Sequence, residues 1–484
     1  MTSSTNSKFG SHQTRDRGKY FAEPEDISEE TIQRLAERSE SVLVKKLAKN
    51  DRQWAIWNEE SGKWFSNQAG PLLPAEIREK HFFPPLQEDP KKPHNRSASI
   101  NIYWPAIGKV YPSRFIWYSD KGAAENHLTT NPRSEFDSLA PASLFLIFKP
   151  KDPAGQYVAL TVDAANEALI EYVSEVFGIR SDFHCRIFEC SQLDLRPRLT
   201  ELQSFVLEIL AALDQGYERF LAFTKAFKRK SRTEVSDAAF RVWKIRTGET
   251  DLDPFRISAP GDAIFDITRE IEFAIYRLDE AKTYGMQLVR SIFAGDSQID
   301  SKRAVMACIE NFDELYRVFL SASQARASRA GGSFETVVAR TLNAGGIPFA
   351  AQNMFDGSKP DFVLPNASTY ENDTLRGDHA LILTLKTTLR ERWKQVVSES
   401  KNCPIYLGTL DENITSATLD KLSDHSIFLV VPERFKASVY TEYANRESVI
   451  SYRDFFDELR SRNMNSWLSM GIPCFGKTPM DNVT

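Results

Sequence analysis

The chain has 484 residues, which is too long for one ordinary hydrophobic core and calls for two or three domains. Hydrophobic residues at 42% and aromatics at 11% suffice for globular packing, and without a run of 18 apolar residues a membrane-spanning helix is excluded. The formal net charge of −5 does not by itself point to nucleic acid, although local patches rather than the average steer such partners.

The N-terminus has no apolar signal region, so a soluble cytoplasmic protein is expected. Five scattered cysteines (185, 190, 308, 403 and 474) are an odd set that fits a reducing compartment. His184-Cys185 with Cys190 would need a second ligand pair to hold a metal, and none lies nearby.

Residues 1–18, rich in Ser, Thr and Asn, read as a disordered tail. Residues 19–195 read as strand-rich. A helix is expected over 27–48, with Asp26-Ile-Ser-Glu29 supplying its cap. The β-branched and aromatic runs QWAIWNEESGKWFS, SINIYWP, SRFIWYS, SLFLIFKP and YVALTV are bounded by turn residues, as antiparallel strands usually are. The Pro-rich stretch 83–97 reads as a surface loop and 164–178 as a helix. A barrel-like or sandwich-like domain with attached helices follows.

Residues 196–325 carry apolar positions three and four apart, the mark of a helical connector with three or more helices. Lys225, Lys228, Arg229, Lys230 and Arg232 form a basic run within it, read either as a solvated helix end or as a phosphate contact. Residues 326–484 alternate helix and strand, from FETVVARTLNAGG through FVLP, ALILTLK, TLRERWKQVVSES, PIYLGTL and IFLVVP. That alternation, with continuous apolar runs, argues for an α/β sheet covered on both faces.

The chemistry lies in this last segment. Asp361 opens a strand after Pro360, and Lys386 closes the ALILTLK strand, close to Asp361 if the two strands pair. Thr384 stands two before Lys386 on the same side and cannot carry charge, so a second acid must come from elsewhere. Glu399, on the next helix, is the candidate, with Arg392 seven residues before it on the same face. Asp361, Glu399, the main-chain carbonyl of Leu385 and waters would suit Mg²⁺, and Lys386 would orient the attacking water. Glu335 can add an acid from a third element. Taken singly these features are ordinary: Pro-Asp often starts a turn, and a lysine at a strand end is usually solvated.

Arg390-Glu391-Arg392 opens the helix that carries Glu399. Arginine pairs with guanine and glutamate accepts from cytosine, so the three suit a G·C-reading element, while as a plain helix start the cations oppose the dipole. Arg326 and Arg329, with Gly331-Gly332 at an expected helix start, could hold backbone phosphate, and the segment reads equally well as a flexible solvated linker.

In these residues the chain resembles the EcoRII-type restriction endonucleases. SRAGGSFETVVARTL, KPDFVLPNASTY and LKTTLRERWKQVVSE are similar to that family's catalytic-domain motifs in the same order. The family pattern of Pro-Asp, a long gap, a small polar residue, x, Lys, twelve residues and Glu is met by Asp361, Lys386 and Glu399. Twenty-two residues separate Asp361 from Thr384, and twelve separate Lys386 from Glu399. Glu335 matches the family's helix glutamate, and Arg390-Glu391-Arg392 resembles its CC·GG-reading element. The resemblance implies a PD-(D/E)xK fold, a homodimer, Mg²⁺ dependence, double-strand cleavage and pairing with a cognate DNA methyltransferase.

More loosely, VKKLAKNDRQWA, NQAGPLLP, SRFIWYSDKGAAENHLTTNP and SLFLIFKP look like the family's effector domain, a DNA-binding pseudobarrel that takes a second copy of the site. By that comparison Lys45, Lys46, Arg114, Lys121, Glu125, Asn126 and His127 fall in the contact regions. The family's contact loop is strongly basic, whereas here it reads KGAAENHLTT, so this domain would read another sequence or bind more weakly.

The expectation is therefore a homodimeric type II endonuclease on double-stranded DNA, with an effector domain at 19–195, a connector at 196–325 and a catalytic domain at 326–484. A non-cutting DNA-binding regulator, a repair nuclease and a protein-interaction scaffold are the rival readings.

Overall fold

The computed structural model describes residues 18–474 except for 59–61, 65–69, 91, 123–124, 181–182, 194–196, 294, 296–297, 352–359 and 390–402. The chain divides into two compact units, Met1–Leu195 and Arg196–Thr484.

The first unit is built on a nearly closed ten-stranded sheet. Its strand order is Cys185–Glu189, Ser39–Lys46, Leu144–Pro150, Tyr157–Val162, Lys92–Trp104, Lys109–Tyr118, Asn126–Thr129 and Leu72–Leu73. All of its pairings are antiparallel except Tyr157–Val162 with Lys92–Trp104. Residues alternate between two cores. One holds Leu43, Ile102, Trp104, Phe115 and Phe145, and the other holds Val42, Val44, Leu146 and Val162 beneath the helix Glu167–Phe177.

The sequence misleads at two places in this unit. The helix expected over 27–48 runs only Glu29–Arg38, capped by the Ser28 hydroxyl on the N–H of Thr31, and the rest is the strand Ser39–Lys46. Val42 and Val44 prefer the pleated surface, and this strand pairs on both sides, so sheet hydrogen bonding overrides a local helical pattern. The Pro-rich 83–97 stretch is not all loop: Gln87–Asp89 pairs with Lys92–Trp104.

In the second unit a six-stranded sheet runs Ala350–Ala351, Phe362–Leu364, Leu381–Lys386, Ile405–Thr409, Ile427–Val431 and Val449–Ser451. Its first two pairings are antiparallel and the other three parallel. Both faces are covered. Leu381, Leu383 and Leu385 join one core, while Ile382 joins the other with Ile405, Leu407 and Leu429. This is why the strands read as unbroken apolar runs.

Helices from the connector segment share the first of these cores. Trp243 of Arg232–Thr247, Ile264 and Ile267 pack with Phe334, Leu383 and Phe455. The helix Phe312–Ala344 runs 33 residues without a break through residue 325, where the sequence suggested a boundary. The helical layer and the sheet thus form one hydrophobic unit.

Candidate active site

Antiparallel pairing of Phe362–Leu364 with Leu381–Lys386 matches Phe362 to Leu383. One step outward, Asp361 comes level with Thr384 at the end of the sheet. Thr384 donates its hydroxyl to Asp361 Oδ2 at 3.1 Å, and the Leu385 N–H donates to the same oxygen at 2.6 Å. Lys386 Nζ lies 3.6 Å from that oxygen and 3.5 Å from Thr384 Oγ1. The Asp361 and Lys386 side chains keep 17% and 20% of their surface, enough to be approached by a ligand but not fully solvated.

Oδ2 is therefore held by a main-chain N–H, a hydroxyl and an ammonium, which fixes the carboxylate's orientation. Among the described residues no donor reaches Oδ1. A carboxylate with one oxygen anchored and the other without a donor among the described residues suits a hard cation such as Mg²⁺, and the ammonium alongside can offset negative charge on an approaching phosphodiester. No group of three or more His, Cys, Asp or Glu side chains suited to a metal occurs among the described residues. Glu399, Arg390, Glu391 and Arg392 lie outside the described residues. Glu335 is half-buried on the helix Phe312–Ala344, which packs on the Lys386 strand.

Asp411 is a residue that sequence reasoning missed. Its buried carboxylate, 7% exposed, accepts the Leu389 N–H at 2.9 Å through Oδ2 and the Asn413 N–H at 2.9 Å through Oδ1. It thereby ties the chain just beyond Lys386 to the end of the neighbouring strand. Burial pushes its carboxyl pKa upward, against the two N–H bonds and the Arg269 charge. The only signal in the sequence is Thr409-Leu-Asp411 at the end of an apolar run.

Arg326 and Arg329 are not at a helix start. They sit in the interior of Phe312–Ala344, as do Gly331 and Gly332. Arg326 forks onto Glu280 at 3.2 and 3.0 Å. Arg329 is 8% exposed, reaches Glu272 Oε1 at 3.5 Å and stacks 4.3 Å from the Tyr276 ring centre. Glu272 is fully buried and also accepts the Ser333 hydroxyl. Burial raises the Glu272 pKa and lowers that of Arg329, while each charge stabilises the other. A Cβ at Gly332 would fall 2.3 Å from Arg232 Nη1, the far end of an exposed side chain that would have to swing aside. Of the basic run, Arg229 lies 3.6 Å from Asp279 Oδ2 and donates to the Tyr276 hydroxyl at 3.0 Å.

In the first unit the candidate contact residues divide. Lys45 and Lys46 are interior, at 7% and 4% exposure. Lys45 Nζ is 2.9 Å from Asp51 Oδ2, and Asp51 also accepts the N–H groups of Ala48 and Leu72, so this lysine belongs to a structural knot. Arg114, Lys121, Glu125, Asn126 and His127 gather on the Lys109–Tyr118 and Asn126–Thr129 strands and the turn between them. Arg114 and Lys121 are exposed. Asn126 is buried and accepts from Arg78 Nη1 at 3.2 Å, whereas Glu125 and His127 pair at 3.1 Å. Arg78 and Arg96 went unread in the sequence. Their guanidinium carbons lie 3.9 and 5.6 Å from the Trp117 ring centre, and Arg96 is also paired with Glu88 at 2.6 Å, so the face carries arginines that KGAAENHLTT does not show.

Residues 295–456 match the family described as EcoRII C terminal. The type II restriction enzyme EcoRII of Escherichia coli is 28% identical over 205 residues, covering 41% of this chain and 45% of that protein. The type II restriction enzyme SsoII of Shigella sonnei is 30% identical over 152 residues, covering 29% and 48%. The chain thus spans about half the length of the curated relatives it matches. Among solved structures, metal-depleted Ecl18kI with uncleaved, modified DNA aligns at 20% identity and TM-score 0.41, over 53% of this chain and 84% of that one. The UbaLAI restriction endonuclease B3 domain with cognate DNA aligns at 16% identity and TM-score 0.23, over 32% and 91%. Over residues 295–456 this chain therefore matches the EcoRII C-terminal family, and over part of its length it is a homologue of the type II restriction enzymes EcoRII and SsoII.

Proposed function

We propose that this protein is a site-specific type II endonuclease that hydrolyses phosphodiesters of double-stranded DNA with Mg²⁺. The observation that carries the reading is the convergence of Asp361 and Lys386 at the ends of adjoining strands, 3.6 Å apart, with Thr384 and the Leu385 N–H fixing the carboxylate. Homology to the restriction enzymes EcoRII and SsoII supports the class of reaction.

In this reading Asp361, Glu399 and the Leu385 carbonyl would hold the cation within a PD-(D/E)xK arrangement, with Glu335 as an accessory acid. A bound Mg²⁺ supplies Lewis acidity and lowers the pKa of a coordinated water. Lys386 would position an attacking water and offset charge building on the phosphate. Arg390, Glu391 and Arg392 read the G·C pairs of a CC…GG-like palindrome, and the enzyme acts as a homodimer. The first unit, through Arg114, Lys121 and the turn near His127, binds a second DNA copy. Pairing with a cognate methyltransferase and a cytoplasmic location in a prokaryotic cell complete the proposal.

The test is cleavage of unmodified genomic DNA with Mg²⁺, followed by sequencing of the ends. One common sequence at the ends from the wild type, and intact DNA with Lys386→Ala, is the expected pair of results. Wild-type cutting by Lys386→Ala would remove the assignment of the centre.

A further inference from the structure

The helices Ser301–Glu310 and Phe312–Ala344 carry two opposite stripes through residue 321. Ala307, Asn311, Glu314, Val318 and Ser321 face the helix Glu272–Phe293. Ala307 and Val318 are buried, Asn311 donates to the Ser291 carbonyl at 3.0 Å, Glu314 accepts the Ser291 hydroxyl at 2.9 Å, and the Ser321 carbonyl accepts from Tyr284 at 3.3 Å. Two residues out of phase, on the opposite side, stand Val305, Ile309, Phe312, Tyr316 and Phe319. They are 61, 74, 65, 58 and 61% exposed.

We propose that this outer stripe is the surface on which a second copy of the chain docks. Its spacings of four, three, four and three residues keep one apolar seam, the 3.5-residue repeat with which two helices pack along their length. The Phe312 and Tyr316 rings stack at 6.5 Å, giving the centre of the seam an aromatic plate. None of the five positions bears a charge, so the stripe offers nothing to phosphate or to an acidic peptide. Aromatic side chains present about 150–250 Å² each, so the three here expose roughly 300–450 Å² between them. With Val305 and Ile309 the stripe reaches the ~300–600 Å² of the largest apolar patch on a typical monomer, and the residues flanking it would complete the ~800 Å² per partner of a standard interface. A two-fold axis through such a stripe sets the same residues against each other. The choice of a second copy rests on the proposed function, in which one set of catalytic residues per chain must cut two strands.

The test compares full-length wild type with Ile309→Asp, and with Ile245→Asp as a control, by sedimentation over a dilution series. Ile245 is 84% exposed and lies outside the stripe. Wild type and Ile245→Asp are expected to be dimers, with dissociation at least about tenfold easier in Ile309→Asp, because each copy would bury a charge in an apolar seam. On the native chain, hydrogen exchange of residues 305–320 should slow as concentration rises, which decides the matter if Ile309→Asp does not fold. A monomeric wild type, an undiminished dimer in Ile309→Asp or concentration-independent exchange at 305–320 would each overturn the surface. These readouts need no DNA cleavage. A dimer lost on Ile309→Asp but inactive on DNA keeps the surface and removes the enzymatic reading, and a cutting enzyme whose dimer ignores Ile309→Asp does the reverse.

Discussion

The two sheets place their polar residues in different ways. In the first unit, antiparallel strands leave cationic and aromatic side chains spread along a face, as with Arg78, Arg96 and Trp117. In the second, both faces of a mostly parallel sheet are buried, so chemistry can appear only where strands end, as with Asp361 and Lys386. A face distributes contacts over many weak partners, whereas a strand end concentrates them at one point. Substitutions should therefore act gradually in the first unit and nearly all-or-none in the second.

The sharpest break of that contrast is Lys386→Ala, or equally Asp361→Asn. Loss of a pre-positioned charge at a reacting phosphate lowers rates by about 10²–10³-fold, and Lys386→Ala should do at least this in plasmid cleavage while leaving thermal unfolding almost unchanged. A comparable loss from a single change on the first-unit face would erase the distinction.

Next in size is Arg329→Ala, which strands the fully buried Glu272. Breaking a buried pair costs about 3–5 kcal/mol, and urea unfolding of the second unit should show it. Arg326→Ala removes a pair whose arginine is 40% exposed and should cost well under half as much. Equal losses would mean that burial does not set the value of these pairs.

Arg114→Ala should weaken DNA binding by the first unit similarly across sequences and reduce the log–log salt slope by about 1. A change in sequence preference without a change in slope would make Arg114 a base reader instead.

The smallest effect concerns pH. Burial, with Asp137 nearby, pushes the Glu135 carboxyl up to about 7. Its value in an unfolded chain is about 4.3. The folded form thus holds its proton more tightly, so this group's contribution is complete below pH ~4.3, declines as pH rises, and is lost above about 7. Glu135→Gln should flatten first-unit stability across that window, and an unchanged slope would show that Glu135 ionises freely.

Much of the second sheet was legible. FVL, LILTLK, IYLGT and IFLVV are strands because continuous apolar runs bounded by turns suit a sheet covered on both faces. Asp361 and Lys386 could be picked as partners because a proline and a strand end mark where polar groups can emerge. Arg326 and Arg329 were misread because Gly331-Gly332 looks like a break. Glycine's local cost in a helix is only about 1 kcal/mol, and burial of Phe334, Val337 and Val338 on the same helix outweighs it. Nor does the sequence show that Lys45 and Lys46 are interior, since a lysine carries no mark of its burial or, for Lys45, of the aspartate it pairs with.

The sequence by itself determined the apolar runs of the second sheet and the residue types at the strand ends where Asp361 and Lys386 stand, because these depend on local periodicity and chemistry. Only the tertiary structure decided that Ser39–Lys46 is a strand, that the helical segment shares a core with the sheet, and that Arg329 answers Glu272 across 57 residues of chain. Those outcomes turn on which distant partner shields a group from water, and burial energies depend on neighbours that no local window contains.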